Sequence, residues 1–504
     1  MLTPTEILVL TCYYSALVGL ALYGSHRLMM VYLYHRHRRR APQAPPMSGA
    51  LPLVTVQLPI FNERYVVNRL IEAVLRIDYP RELLEVQVLD DSTDDTRDAV
   101  RAAVARYRAA GFRISHRHRV DRRGYKAGAL AEGLDAAAGE FLLILDADFV
   151  PHPSILKESL RHFANPRVGM VQSRWGHLNA EQSLLTRVES ILLDGHFVIE
   201  HAARHRSGRF FNFNGTAGVW RRAAIEQAGG WSSDTLTEDL DLSYRAQLAG
   251  WEFVYLVDLV SPGELPVDVN SFKSQQHRWS KGAIQTGRKL LLEIFRSRFP
   301  LKVKIESFFH LTNNVSYPLV VALSLFVFPA MEIRHRLGWT RLIWLDFPLF
   351  LVSTASVLLF YLFSQKEIDG EWRSKIRYLP MLLSLGIGLA VNNAHAVLAA
   401  FLGDDMEFRR TPKYAAAGIA GRARSASYRI RVPRTFLIEL ALAVYLAAAI
   451  VVSIRQRMYL ALPFLMVFFN GYVFIAALTL ADLLPSRRRG PGPAQIQPRA
   501  IRQR

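Results

Sequence analysis

Apolar residues are spread unevenly along the chain. Residues 7–25 contain no charged residue, and a run of that length can cross a bilayer as a helix. Residues 311–331, 342–364, 378–403, 436–454 and 458–480 repeat the pattern. Residues 51–300 lie between, carry charge throughout and contain no apolar run of spanning length. Within them the hydrophobic period switches back and forth. Residues 53–59, 85–90, 112–117 and 140–146 read as strands, and 64–76, 94–110 and 125–137 as helices. This alternation predicts an α/β domain with a mostly parallel sheet and helices on both faces. In such sheets ligands bind at the carboxyl ends of the strands.

Charge sharpens the division. The chain has 62 Lys and Arg against 43 Asp and Glu, a net charge of +19, yet 51% of its 504 residues are hydrophobic. Both facts fit an integral membrane protein whose basic residues flank the spans. Nucleic acid is therefore not needed as a partner to explain the charge, and the lipid bilayer is. The basic run His35 to Arg40 follows the first span, which predicts an uncleaved anchor with residue 35 onward in the cytosol. Residues 404–434 hold eight Lys and Arg, and the tail from Arg487 holds six. Both stay cytosolic only if 378–403 lies in the interface or re-enters, so five crossings and one interfacial segment are expected. The polar cluster Asn392, Asn393 and His395 inside that segment agrees. The single cysteine, Cys12, excludes an internal disulfide framework.

The organisation that follows is a first span (1–34), a basic Pro-containing linker (35–50) and a catalytic-type domain (51–270). Interfacial helices (271–308) and two spans (309–364) come next. A further interfacial segment with its loop (365–434), two more spans (435–482) and a basic tail (483–504) complete the chain.

Several residue groups could carry chemistry. Asp146-Ala147-Asp148 follows five apolar residues, and side chains two apart in extended backbone share a face. The pair suits a hard cation such as Mg²⁺ or Mn²⁺; the plainer reading is a polar strand end. In the run from Asp90 to Asp95, Ser92 or Thr93 reads as a helix cap with Asp94 and Asp95 favoured by the helix dipole. Asp90 and Asp91 remain as acceptors for a nucleobase or ribose. Thr237-Glu238-Asp239 precedes a helical segment, where Thr237 or Asp239 could cap the helix or Asp239 serve as a general base. Gln275 and Arg278 share a helical face, and Arg suits bidentate phosphate contact. Trp279 offers a flat ring for a sugar, although a basic interfacial helix alone would carry the same residues. Asn313, Asn314, Tyr317 and Asn470 are polar residues within spans, read as channel-lining or as links between packed helices.

Taken in order, DDSTDD at 90–95, DAD at 146–148, TED at 237–239 and QQHRW at 275–279 resemble the family-2 glycosyltransferases, and among them the membrane-embedded cellulose, hyaluronan and mannan synthases. The stretches Arg123 to Leu130, Phe213 to Arg221 and Phe408 to Lys413 look most similar to bacterial relatives of plant cellulose-synthase-like A enzymes. The resemblance implies a GT-A-like fold in which Asp90, Asp91, Lys126, Asp146, Gln275 and Arg278 bind a nucleotide-sugar. It implies that Asp146 and Asp148 hold Mg²⁺ or Mn²⁺, and that Asp239 is the catalytic base. Trp279 would bind the acceptor, together with Asn214, Gly215 and Thr216. Phe408, Thr411 and Lys413 would belong to a gating loop. Arg410 departs from the cellulose-synthase form of that loop, and Asn214-Gly215-Thr216 departs from its Cys-Gly-Ser form. No cyclic-di-GMP-binding domain is expected in cis. The implied activity is inverting, processive transfer of hexose from GDP-mannose or UDP-glucose to a β-linked polysaccharide, threaded through the chain's own spans. The implied location is the bacterial inner membrane with the catalytic domain in the cytosol. The alternative is a non-processive transferase similar to ceramide glucosyltransferases. The sequence leaves any periplasmic or export partner open.

Overall fold

A computed structural model describes residues 2–403 and 434–483, apart from residues 44, 47, 48 and 369. The expected gating loop (Phe408, Thr411, Lys413) and the basic tail lie outside the described residues.

The first four strands are β1 (Val54–Ile60), β2 (Leu84–Asp90), β3 (Arg113–His118) and β4 (Phe141–Ile144). Each lies within a residue or two of the stretch that its apolar pattern predicts. Helices Val67–Leu75, Thr96–Ala109 and Tyr125–Asp135 connect them. Three more strands follow, β5 (Val168–His177), β6 (Gly218–Arg221) and β7 (Glu252–Gly263). They form one seven-stranded sheet in the order β3-β2-β1-β4-β6-β5-β7. Only β6 runs against its neighbours β4 and β5.

The sheet is buried on both faces. Val54, Val56, Leu58 and Ile60 of β1 pack into one apolar cluster with the helices Val67–Leu75 and Thr96–Ala109. The other face of β1 carries Thr55 and Gln57, both fully buried. Each finds a partner across the ladder: Thr55 Oγ1 donates to Glu85 Oε2 at 2.6 Å and Gln57 Nε2 to Gln87 Oε1 at 3.2 Å, while Gln57 Oε1 stays unpaired among the described residues. A buried polar group without such a partner would be costly.

Among the described residues six helices are long and apolar enough to cross a membrane: Pro4–Arg36, Leu301–Arg336, Ile343–Ile368, Trp372–Leu402, Thr435–Arg455 and Tyr459–Asp482. Trp372–Leu402 has 67% of its apolar window buried inside the protein, against 22–44% for the other five. It is the segment expected to lie in the interface, and it breaks at Leu389 between two helices. Its second half packs along the 28-residue helix Val269–Arg296, where Asn392 Nδ2 donates to the Lys273 carbonyl at 2.9 Å.

Several contacts fasten the sheet domain to this bundle, two of them at its helices. Helix Leu184–Asp194 continues through a π-helical turn, Gly195–Glu200, into helix His201–Arg206. Gly195 lies against Phe360 and Tyr361 of the third candidate span, and an added Cβ would meet both rings at 2.6 Å. Helix Val269–Arg296 is tied to the last two spans by a buried ion pair, Lys273 Nζ to Glu439 Oε2 at 2.7 Å. Asp482 Oδ2 accepts from the Val269 amide at 2.7 Å.

Candidate active site

The carboxyl ends of β1, β2 and β4 open into a cavity of about 170 Å³. Asp91, Lys126, Asp146, Asp148, Asp239 and Arg278 line it, as do Asn214, Gly215, Gln275 and Trp279. Residues spread over almost two hundred positions of sequence therefore share one site. Asp90 and Thr216 do not line it. Asp90 is fully buried beneath Asp91, and Thr216 acts from behind, its Oγ1 accepting from the Asp146 amide at 2.8 Å.

Both aspartates of the DAD motif reach the cavity, for a reason other than strand alternation. β4 ends at Ile144, and the chain turns at Ala147–Asp148, closed by the Phe149 amide donating to the Asp146 carbonyl at 3.1 Å. The Asp146 Oδ1 accepts from Lys126 Nζ at 2.5 Å, and Asp148 Oδ2 accepts from the Glu264 amide at 3.1 Å. Lys126 also donates to the Gly215 carbonyl at 2.9 Å. Burial works against the Lys126 ammonium, but Asp146, Glu238 and Asp239 outweigh it and raise its pKa.

Asp239 opens the helix Glu238–Leu248. Thr237 occupies the cap position, and its hydroxyl pairs with Thr286 on helix Val269–Arg296 at 3.3 Å. Gly282 makes that approach possible, because a Cβ there would meet Thr237 at 2.5 Å. Burial, then the neighbouring charge of Glu238, push the Asp239 carboxyl up to about 7, with Lys126 and Arg278 pulling the other way. Gly215, at φ +80°, brings its backbone beside the same carboxylate; a Cβ there would lie 3.0 Å from Asp239 Oδ2. Such a φ favours glycine.

The cap expected from Ser92 or Thr93 is not formed. The helix starts at Thr96, and the two residues instead clamp the loop after β1. Ser92 Oγ accepts from the Asn62 amide at 2.9 Å, and the Thr93 amide donates to Asn62 Oδ1 at 2.8 Å.

Sequence reasoning missed the residues around the first two aspartates. Arg119 grips Asp91 through two hydrogen bonds, of 2.7 and 2.6 Å. Arg122 lies with its guanidinium 3.3 Å over the Phe61 ring. Asp90 accepts from His116 Nε2 at 2.8 Å and from the Ser92 amide at 2.9 Å. Burial opposes ionisation of Asp90, but these partners outweigh it and lower its pKa. His118 joins them, so that Asp90, His116 and His118 bring three possible metal ligands within 4.8 Å of one another. The available signal was the basic, His-rich run from His116 to Arg123 at the end of a strand.

A second cavity, of about 380 Å³, continues from the first into the helical bundle. Trp175, Leu193, Asn214, Thr237, Asp239 and Trp279 line both. Asn313, Asn314 and Tyr317 line its far part, with Phe350, Gly386 and Phe468. Asn470, expected to line the same space, instead faces outward on the last helix. The polar wall next to Asp239 is preset: Asn214 is held between His201 Nε2 at 2.6 Å and His196 Nε2 at 3.1 Å. His196 is in turn bonded to Glu200 at 2.9 Å. The π-helical turn carries His196 and Glu200, a kind of irregularity common at functional sites.

Comparison with known proteins agrees with this geometry. The family model described as glycosyltransferase like family 2 matches residues 52–282. Glucomannan 4-beta-mannosyltransferase 2 of Arabidopsis thaliana is 44% identical over 279 residues, 54% of this chain and 52% of that protein. Probable glucomannan 4-beta-mannosyltransferase 9 of Oryza sativa subsp. japonica is 40% identical over 317 residues, 60% of each. The chain thus spans about half the length of the curated relatives it matches. The mannosyltransferase PcManGT of Pyrobaculum calidifontis, solved in complex with GDP-Man and Mn²⁺, superposes with a TM-score of 0.51 at 20% identity. That match covers 76% of this chain and 99% of that one, and it shares the GT-A-like fold. Residues 52–282 are thus similar to the glycosyltransferase like family 2 model, and they are set on a bundle of helices long and apolar enough to cross a membrane.

Proposed function

We propose that this chain is an inverting, processive hexosyltransferase that takes the sugar from GDP-mannose and adds it to a growing β-linked polysaccharide. Its catalytic domain would face the cytosol, and the product would leave through the bundle. The observation that carries this reading is the junction of the two cavities at Asp239 and Trp279. A donor site that opens directly into a larger cavity between apolar helices suits a chain that stays bound after each addition.

The residues divide by chemistry. Asp146 and Asp148 offer oxygen ligands beside the cationic groups of Lys126 and Arg278, which fits a hard divalent cation shared with a diphosphate. When bound, Mg²⁺ or Mn²⁺ would supply charge stabilisation for the leaving nucleotide. Asp90, His116 and His118 form a nitrogen-rich set outside the cavity, less suited to that ion. Asp239 accepts the proton of the acceptor hydroxyl, whose oxygen then attacks the anomeric carbon from the side opposite the diphosphate. One in-line displacement inverts the configuration. Lys126 and Arg278 neutralise charge that develops on the departing diphosphate. Asn214 and Trp279 hold the acceptor sugar, the first by hydrogen bonds and the second by its ring face.

The test is to reconstitute the full chain in nanodiscs and supply GDP-mannose or UDP-glucose with Mg²⁺ or Mn²⁺, measuring nucleotide release and product size. Polymer from GDP-mannose is expected. Polymer from UDP-glucose would overturn the donor, and a single sugar on lipid would favour the glycolipid-forming alternative.

A further inference from the structure

The donor cavity has two ends of different character. At one end Asp239 and Trp279 join it to the second cavity, so the transferred sugar lies there. Lys126, Asp146, Asp148 and Arg278 occupy the middle, where a diphosphate would sit. The nucleoside is left with the opposite end, formed by Phe61 after β1, Asp91 after β2 and Arg122 after β3.

That end presents two groups of opposite hydrogen-bonding sense side by side. Asp91 is almost wholly buried, and both its oxygens are held by Arg119, at 2.7 and 2.6 Å. A carboxylate offers about four acceptor positions, so two or so remain for a ligand. Arg122 Nε lies 3.9 Å from Asp91 Oδ2. The Arg122 guanidinium is 3.3 Å over the Phe61 ring and 5.0 Å from the Tyr125 ring, so aromatic faces hold it in place. It is only donor, and Asp91 is only acceptor.

Base edges differ in how they meet such a pair. Guanine carries two adjacent donors, N1–H and the 2-amino group, next to the acceptors O6 and N7. A carboxylate can take the donors while an arginine gives to the acceptors, the pairing that arginine makes with guanine elsewhere. Uracil has a single donor, N3–H, flanked by carbonyl oxygens that a carboxylate repels. It has no counterpart to the O6/N7 pair. We infer that Arg122, stacked on Phe61 and paired with Asp91, makes the donor pocket read guanine over uracil, with Arg119 as the residue that positions Asp91. This rests on the GDP-sugar reading above and names the residues that choose the base.

Binding of GDP, UDP and inorganic pyrophosphate to the full chain in nanodiscs with Mn²⁺, measured by calorimetry, tests the inference. The wild-type chain should bind GDP more tightly than UDP. Arg122→Ala should weaken GDP by roughly 5- to 150-fold, the value of one bidentate base contact. It should leave UDP and pyrophosphate within about threefold, the scatter expected away from a direct contact. Arg122→Lys, which keeps the charge and loses the fork, should also lose preference for GDP and controls for folding. Parallel weakening of all three ligands, or undiminished GDP preference in both variants, would overturn the inference while leaving the donor reading intact. A wild-type chain that prefers UDP would overturn the donor reading itself, before any variant is made.

Discussion

If Asp239 is the base, the rate must follow its ionisation. The carboxyl stands at about 7, raised by burial and then by Glu238. A base acts when deprotonated, so kcat/KM should rise with pH through about 7. A single group there is roughly one-tenth ionised at pH 6 and nine-tenths at pH 8. The wild-type rate should therefore climb close to tenfold across that window. Glu238→Gln removes the neighbouring charge that raises this pKa, and so eases ionisation of Asp239. The limb should move to lower pH by about one unit, the low end of what one neighbouring charge does. The assay is nucleotide release at subsaturating donor, fitted for the position of the limb rather than its height. This separates the titration from any loss of overall rate in the variant. Asp239→Asn should lose about 10²- to 10⁴-fold in rate while GDP still binds. A limb that Glu238→Gln leaves in place, or substantial transfer by Asp239→Asn, would refute the assignment.

Two further outcomes are expected. Lys273→Met leaves the buried Glu439 carboxylate without its ammonium partner, which costs about 3–5 kcal/mol for a desolvated pair. Thermal unfolding should fall accordingly, and Lys273→Met combined with Glu439→Leu should recover most of the loss. Removal of divalent cation with EDTA should weaken GDP binding in calorimetry, and Asp148→Asn should abolish that metal-dependent gain.

Parts of this architecture were legible because they are local. The strand at 53–59 is a run of β-branched residues between prolines, and β1 occupies it to within a residue. The buried run before Asp146 is equally plain, and it brought the DAD motif to a strand end. How the two aspartates are held at the cavity was not visible, since Asp146 and Asp148 bond to Thr216 and Glu264, far along the chain. β6 escaped notice because four residues make too short a pattern, and its antiparallel course is set by the strands on either side. Ser92 and Thr93 looked like caps, but a partner 30 residues earlier, Asn62, competes for them. Arg122 looked like one more basic residue in a basic chain. Its meaning depends on Phe61 and Asp91, which the sheet places beside it.

The central claim is that donor pocket and bundle cavity form one path for a growing chain. Gly386 allows that to be tested cleanly. It lines the bundle cavity, and a Cβ built there meets nothing within 4 Å, so Gly386→Trp fills the path without displacing a neighbour at the first carbon. The decisive measurement is the length distribution of product made from GDP-mannose in nanodiscs by the wild-type chain and by Gly386→Trp. Long chains are expected from the first and markedly shorter ones from the second, with GDP affinity unchanged. Equal lengths from both, or a single sugar added by the wild-type chain, would contradict it.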